Sequence, residues 1–168
     1  MSDKTVMVSK NLKVAILTAG PSTGVVGGAE RFYSGLVSGF DAIGCTVELI
    51  SIVADEPTFE AITDNYQRVK ALDLSKFDIV VSTKAPTFAV RHPRHVVYLV
   101  HTVRVFDDMF SQAFPHPSEI HLRQRSILQN MDFEALSVAK ALFAIGHEVA
   151  NRLSRWRGLS AQVIHPPL

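Results

Sequence analysis

Apolar residues fall along this chain in short runs of two kinds, and the two kinds alternate. Runs that are apolar at nearly every position, such as 12–19 (LKVAILTA) and 77–83 (FDIVVST), are typical of strands buried on both faces of a sheet. Segment 29–43 instead has apolar residues three or four positions apart, which predicts a helix, and Gly44 stands where a glycine often ends one. The alternation predicts an α/β fold with a parallel sheet and helices on both faces.

The same patterns place the remaining elements. Further strands are predicted at 46–53, 67–71, 96–100, 141–145 and 162–165. Further helices are predicted at 86–90, 118–130, 133–140 and 148–157. The first 53 residues form a strand–loop–helix–strand unit, whose crossover length favours parallel pairing of its two strands. Pro166 and Pro167 then end the regular structure.

Candidate chemistry lies at the strand ends, because open parallel sheets bind ligands beyond the carboxyl ends of their strands. The segments and side chains that follow the predicted strands are 20–28, 54–56, Lys84, His101, Thr102, Arg104 and 146–147. A glycine-rich loop, a lysine, an arginine and two histidines at one edge suit an anionic ligand, although His101 could equally be a structural histidine. The loop at 20–28 opens a helix whose free N–H groups attract anions, which favours a phosphate or sugar-phosphate role over a simple tight turn.

Other motifs bear on whether the chain binds a nucleotide or a metal. The glycine-rich loop carries neither the Gly-Lys-Ser/Thr of a P-loop nor the G-x-G-x-x-G of a dinucleotide-binding site, which disfavours a dehydrogenase. The cluster RHPRH at 91–95 has histidines at metal-like spacing, but it precedes a strand and has no carboxylate nearby. We therefore predict a solvated turn and no metal. Asp107 and Asp108 are interpreted as a helix start or an exposed pair.

Length and composition set limits on this interpretation. The 168 residues correspond to one domain, and the net charge of +1 gives no general attraction to nucleic acid. The single cysteine excludes an internal disulfide and a cysteine metal cluster. A polar N-terminus and the lack of an apolar run near the roughly 20 residues of a membrane helix predict a cytoplasmic protein.

Contact with a membrane surface stays open as an alternative for one helix. The predicted helix at 118–130 carries Arg123 and Arg125 beside apolar residues, namely Ile120, Ile127 and Leu128. Such a helix could lie on an anionic bilayer near a lipid-linked acceptor, whereas a simple solvated face is the commoner arrangement.

Three segments resemble those of one known family. They are GGAERF at 27–32, STKAPTFAVRHPRHVVYLVHTVRVFDDMF at 82–110 and ALFAIGHEVANRLSRWRGLSAQVIHPPL at 141–168. With these motifs in this order, the chain resembles the N-terminal half of a family-four retaining glycosyltransferase of the GT-B fold, in a bacterial subset. The resemblance covers nearly the whole chain from Leu12 onward.

The resemblance implies a Rossmann-like domain that is one half of a GT-B fold. Residues 1–11 would be a polar tail, 12–165 the acceptor-side domain and 166–168 the start of an interdomain hinge, with the C-terminal donor domain absent. The implied reaction moves a sugar from a nucleotide-diphosphate-sugar to a saccharide or lipid-linked acceptor, without a further cofactor. This chain alone is expected to be inactive, and the Glu-x7-Glu match at 48–56 is interpreted as chance, because the family's pair belongs to the other half.

The resemblance also implies roles for single residues. Gly27 and Gly28 would approach the donor phosphates, and His101 would contact the donor sugar as the catalytic-site histidine. The residues implied on the acceptor side are Glu30, Arg31, Lys84, Arg104 and Asp107. Where the family has a small polar pair after its sixth strand, this chain has Gly146 and His147. The alternatives are a non-catalytic sugar-binding or regulatory half that works with a separate subunit, and an unrelated Rossmann-like nucleotide binder.

Overall fold

Six strands form one parallel sheet in the structure, a computed structural model that describes residues 11–23 and 30–166. The strands are β1 (Lys13–Gly20), β2 (Thr46–Val53), β3 (Ile79–Lys84), β4 (His95–His101), β5 (Ala141–Ala144) and β6 (Gln162–Val163). Their order is β2-β1-β3-β4-β5-β6, and every neighbouring pair is parallel. The predicted α/β class is confirmed, and the fold is Rossmann-like. The strand order reverses between β1 and β3, the kind of position where such sheets bind ligands.

Five helices accompany the strands in the described part of the chain. They are α1 (Glu30–Ala42), α2 (Phe59–Lys70), α3 (Phe110–Ala113), α4 (Glu119–Ser137) and α5 (His147–Arg157), with 3₁₀ turns at Thr87–Ala89 and Arg104–Phe106. Helix α2 begins where the Thr58 side chain accepts a hydrogen bond from the Ala61 N–H, and α4 begins with a capping box at Ser118. Helix α5 ends at Gly158, whose φ of 65° is left-handed.

The core lies on both faces of the sheet, as alternating residues of β1 show. Ala15 and Leu17 are fully buried in the larger apolar cluster, to which α2, α4 and α5 contribute. Val14 and Ile16 point the other way and pack with Tyr33 and its neighbours on α1. Because successive side chains of a strand alternate between faces, a strand covered on both sides must be apolar throughout. The predicted placement of helices on both faces is confirmed.

The predicted elements were wrong in two places. Residues 67–71, predicted as a strand, belong mostly to α2, whose buried residues Ile62, Tyr66 and Val69 recur with helical spacing. The run was too short to distinguish a period of two from one of 3.6. The two helical pieces predicted at 118–130 and 133–140 are largely one helix, α4. Its buried face includes Asp132, and a charged residue at a core position interrupts the apolar pattern.

The RHPRH turn lies at the start of β4, at the opposite edge from the strand ends, but it is not solvated throughout as predicted. His95 is 2% exposed, its Nε2 lies 2.7 Å from Ser82 Oγ, and burial lowers its pKa to about 4. The Nε2–H of His92 donates to the Phe77 carbonyl at 3.0 Å. These histidines pack the turn against β3. Within the described residues, no three metal-binding side chains group closely enough to hold an ion.

Candidate functional site

A cavity of about 270 Å³ opens at the carboxyl edge of the sheet, where β1, β2, β3 and β4 end. Four of its lining residues are small, namely Ala19, Gly20, Ala54 and Ala85. Small side chains at the strand ends leave the space open, and a Cβ atom added at Gly20 would meet nothing within 4 Å. The polar lining consists of Asp55, Glu56, Lys84 and His101. The cavity therefore combines open volume with titratable groups from three strand ends.

Hydrogen bonds hold the end of β2 and the loop that follows it. Asp55 Oδ1 accepts the Ser22 N–H at 2.9 Å, which ties this loop to the one after β1 and lowers the pKa of Asp55. On α2, Asn65 Nδ2 donates to the Asp55 carbonyl at 2.8 Å, and Arg68 Nη2 donates to the Val53 carbonyl at 2.7 Å. These bonds hold the neighbouring Glu56 at the cavity.

Lys84 is held by a turn that immediately follows it. Its N–H donates to Thr87 Oγ1 at 3.2 Å, and the Thr87 hydroxyl donates to the Lys84 carbonyl at 2.6 Å. Burial lowers the pKa of the Lys84 ammonium, and the negative charge of Glu56 partly opposes that shift. Lys84 is thus a half-buried cation on a rigid support.

His101 is held as a neutral ring with a defined tautomer. Its Nδ1 lies 2.9 Å from the Thr102 carbonyl, which can only accept, so Nδ1 carries the proton and Nε2 of the neutral ring is an acceptor. Burial lowers the pKa of His101, opposed by the bond to Thr102, and the positive charges of Lys84, Arg104 and Arg152 lower it further. Near neutral pH this ring can accept a hydrogen bond from a ligand hydroxyl.

The arginines near His101 are neutralised by acids. Asp108 Oδ2 lies 2.7 Å from Arg104 Nη2 and 3.2 Å from Arg152 Nε, and Arg152 Nη2 lies 3.2 Å from Glu148. Sequence reasoning singled out Asp108 as a helix start or part of an exposed pair but missed Arg152 and its pairing with Asp108, because that pairing depends on α5 folding back over the loop after β4. These ion pairs reduce the positive field that the sequence suggested for this edge.

Asp107 does not lie at the surface of the cavity, nor is it an exposed residue as predicted. Its side chain is 1% exposed and accepts two bonds from Arg157, Nη1 to Oδ1 at 2.7 Å and Nη2 to Oδ2 at 3.1 Å. The Thr102 hydroxyl also donates to Asp107 Oδ2 at 2.6 Å. The carboxylate faces the interior, where it anchors the loop that follows His101.

A second buried carboxylate completes this network. Asp132 of α4 accepts a bond from Arg157 Nε at 3.0 Å, a further one from Arg157 Nη2, and one from the Tyr66 hydroxyl at 2.5 Å. One arginine of α5 thereby joins two carboxylates that belong to α4 and to the loop after β4. Burial raises the pKa of Asp132 to about 6, although Arg157 and Tyr66 act in the opposite direction.

The raised pKa of Asp132 predicts a pH-dependent stability. Its stabilising contribution is complete below the unfolded pKa near 4 and is lost as the pH rises through about 6. Because the amide introduced by Asp132→Asn cannot titrate, we expect wild type to lose about 2 kcal/mol relative to that variant between about pH 4.5 and about pH 7.5. Urea unfolding of both proteins across this range measures the difference. A difference that is constant with pH would contradict the prediction.

Other predicted site residues lie elsewhere. Gly27 and Gly28 fall outside the described residues, and of Glu30 only the backbone is described, as the first residue of α1. Arg31 is exposed on α1 and does not line the cavity. The structure therefore brings His101 and Lys84 into one cavity and leaves Arg104 beside it.

The face of α4 considered for membrane contact is smaller than the sequence suggested. Leu128 is fully buried, and the Arg125 guanidinium lies 4.4 Å from the Phe110 ring centre and 4.5 Å from that of Trp156. Only part of the expected set, including Ile120, faces solvent. No helix in the described ranges has both the length and the apolar character needed to cross a membrane.

Comparison with known proteins does not identify the chain. A scan against models of protein families matches none of them, and a search of curated proteins finds no match. The cavity at the sheet edge and the sequence motifs therefore remain the features that point to a function.

Proposed function

We propose that this chain is the acceptor-side domain of a retaining glycosyltransferase, which moves a sugar from a nucleotide-diphosphate-sugar to a saccharide or glycolipid acceptor. The observation that carries the proposal is the cavity at the strand-order reversal, where the neutral His101 meets Lys84 and Glu56. The ammonium can donate hydrogen bonds to the hydroxyl groups of a ligand. The neutral imidazole and the carboxylate can accept hydrogen bonds from them. The order of the three glycosyltransferase-like motifs supports the same conclusion.

The cavity also explains why this chain is expected to bind but not to catalyse. Departure of a nucleotide diphosphate requires preorganised donors around the developing charge, and closure must exclude water that would compete as acceptor. The arginines nearest His101 are already paired with Asp108 and Glu148, and the cavity is open to solvent. A second domain that closes on this edge would cover the open side of the cavity and supply further hydrogen-bond donors.

The first test is saccharide binding by residues 1–168. In ligand-observed NMR titrations with neutral hexoses, we expect weak binding, and His101→Ala should weaken it about five- to tenfold by removing one hydrogen bond. His116→Ala is the matched control, because His116 is exposed and does not line the cavity. Incubation with nucleotide-sugars and the same hexoses should give no transfer.

Three outcomes would contradict the proposal. The first is the absence of any saccharide binding by wild type, and the second is a His101→Ala variant that changes only the melting temperature. The third is sugar transfer by this chain without a partner, which would overturn the division of labour between two domains. A nucleotide cofactor that binds more tightly than any sugar would favour the alternative of an unrelated nucleotide binder.

A further inference from the structure

Glu56 and Lys84 carry opposite charges, line the same cavity and are not paired with each other. Glu56 follows β2 and Lys84 ends β3, and these strands flank β1, which ends at Gly20. None of the ion pairs within 4 Å among the described residues joins the two side chains. Both side chains therefore line one open volume, together with Gly20 at the end of β1, without forming an ion pair with each other.

Burial acts on both of these charges. It raises the pKa of Glu56 and lowers the pKa of Lys84, while each group partly offsets the shift of the other. Lys84 is half-buried, whereas Glu56 keeps much of its surface exposed, so the cost of leaving a charge without a partner falls mainly on Lys84. With no ion pair between them, both groups can gain from a ligand that reaches each of them.

We propose that Glu56 and Lys84 together select a neutral polyhydroxylated ligand, a single sugar ring that presents hydroxyl groups to both side chains. A hydroxyl donates to the carboxylate of Glu56, and another accepts from the ammonium of Lys84, so one neutral ring satisfies both groups. A ligand with its own negative charge gains from Lys84 but is repelled by Glu56. This inference rests on the proposed function and gives it a substrate class.

The size of the cavity agrees with one ring. Its volume of about 270 Å³ lies just below the range of about 300–1,000 Å³ that is typical of ligand pockets, which favours a ligand as small as one ring. His101 on the same lining adds an acceptor at Nε2, so three groups from three strand ends surround the space. The strand order brings a carboxylate to the same cavity as the lysine. This carboxylate would make the cavity favour uncharged sugars over anionic ones.

The experiment compares neutral and anionic sugars on wild type and on Glu56→Gln. Ligand-observed NMR titrations use glucose, galactose and mannose beside glucuronate and galacturonate. We expect wild type to prefer the neutral sugars. Glu56→Gln should weaken neutral sugars about three- to tenfold, because a bond to a charged acceptor is lost, and should strengthen the uronates. Glu60→Gln is the matched control, since Glu60 is exposed on α2 and lies outside the cavity lining.

The outcomes separate this inference from the proposed function. Neutral sugars that bind wild type no better than uronates, or a preference unchanged in Glu56→Gln, would overturn the selection by charge and leave saccharide binding intact. Failure of every sugar to bind wild type would overturn both. A Lys84→Gln variant gives a second test, because it should weaken the binding of uronates at least as much as the binding of neutral sugars.

Discussion

Arg157→Met is expected to lower the free energy of unfolding by about 3–5 kcal/mol, the cost of removing one partner from a buried ion pair. Methionine would fill much of the volume, but Asp107 and Asp132 would remain buried without their cation. Both carboxylates are at most 2% exposed, and among the described residues Arg157 is the one charged group that donates hydrogen bonds to them. Urea unfolding near neutral pH measures the loss.

A control and a rescue test the cause of this loss. Arg155→Met changes the same residue type in the same turn of α5 at an exposed position, and it should cost no more than about 1 kcal/mol. If buried charge is the cause, adding Asp107→Asn and Asp132→Asn to Arg157→Met should recover part of the stability. Equal losses in Arg157→Met and Arg155→Met would show that the network contributes little.

Gly20→Phe is expected to reduce saccharide binding by more than about tenfold, through loss of contacts worth about 1.4 kcal/mol or more. Gly20 lines the cavity at the end of β1, and a Cβ atom there meets no neighbour within 4 Å, so the ring can occupy the space that a ligand would fill. The backbone there does not require glycine, because Gly20 is not among the residues with positive φ. Titration with neutral hexoses gives the readout.

The size series at this position provides its own control. Gly20→Ala adds one methyl group to open space and should leave binding close to that of wild type, whereas Gly20→Leu should be intermediate. The melting temperature of Gly20→Ala should change little, since its added Cβ atom meets no neighbour within 4 Å, and melting temperatures of Gly20→Leu and Gly20→Phe show whether a loss of binding comes from unfolding. Full affinity in Gly20→Phe would mean that ligands bind elsewhere on this domain.

The sheet could be predicted from the sequence because strands buried on both faces leave an unmistakable apolar run. FDIVVST and VVYLV contain the centres of β3 and β4, and 46–53 matches β2 at both ends. Helix α2 was partly misassigned, because polar residues separate its buried residues in the sequence and one of the buried residues, Asn65, is itself polar. The edge strand β2 was placed as well, although its residues are only exposed or half-buried, because its run of apolar and β-branched residues is typical of a strand.

The candidate site could be predicted only in part. The rule that strand ends share one edge brought His101 and Lys84 together correctly in space. The network around Arg157 could not be foreseen, because Asp107 and Tyr66 lie far from it in sequence and a charged residue in a helix usually faces solvent. That Glu56 and Lys84 line the same cavity likewise depends on β1 lying between β2 and β3, which is a property of the fold.

The position of β1 between β2 and β3 has a consequence for synthesis of the chain. Its register with β3 pairs Val14 with Ile79, so the ribosome must make more than sixty further residues before that partner exists. Until then β1 and β2 can pair, but the other edge of β1 is open and the side chains that later become fully buried, such as Ala15 and Leu17, are uncovered. The nascent chain therefore passes through a stage in which an apolar strand with an open edge is exposed to chance pairing with other chains.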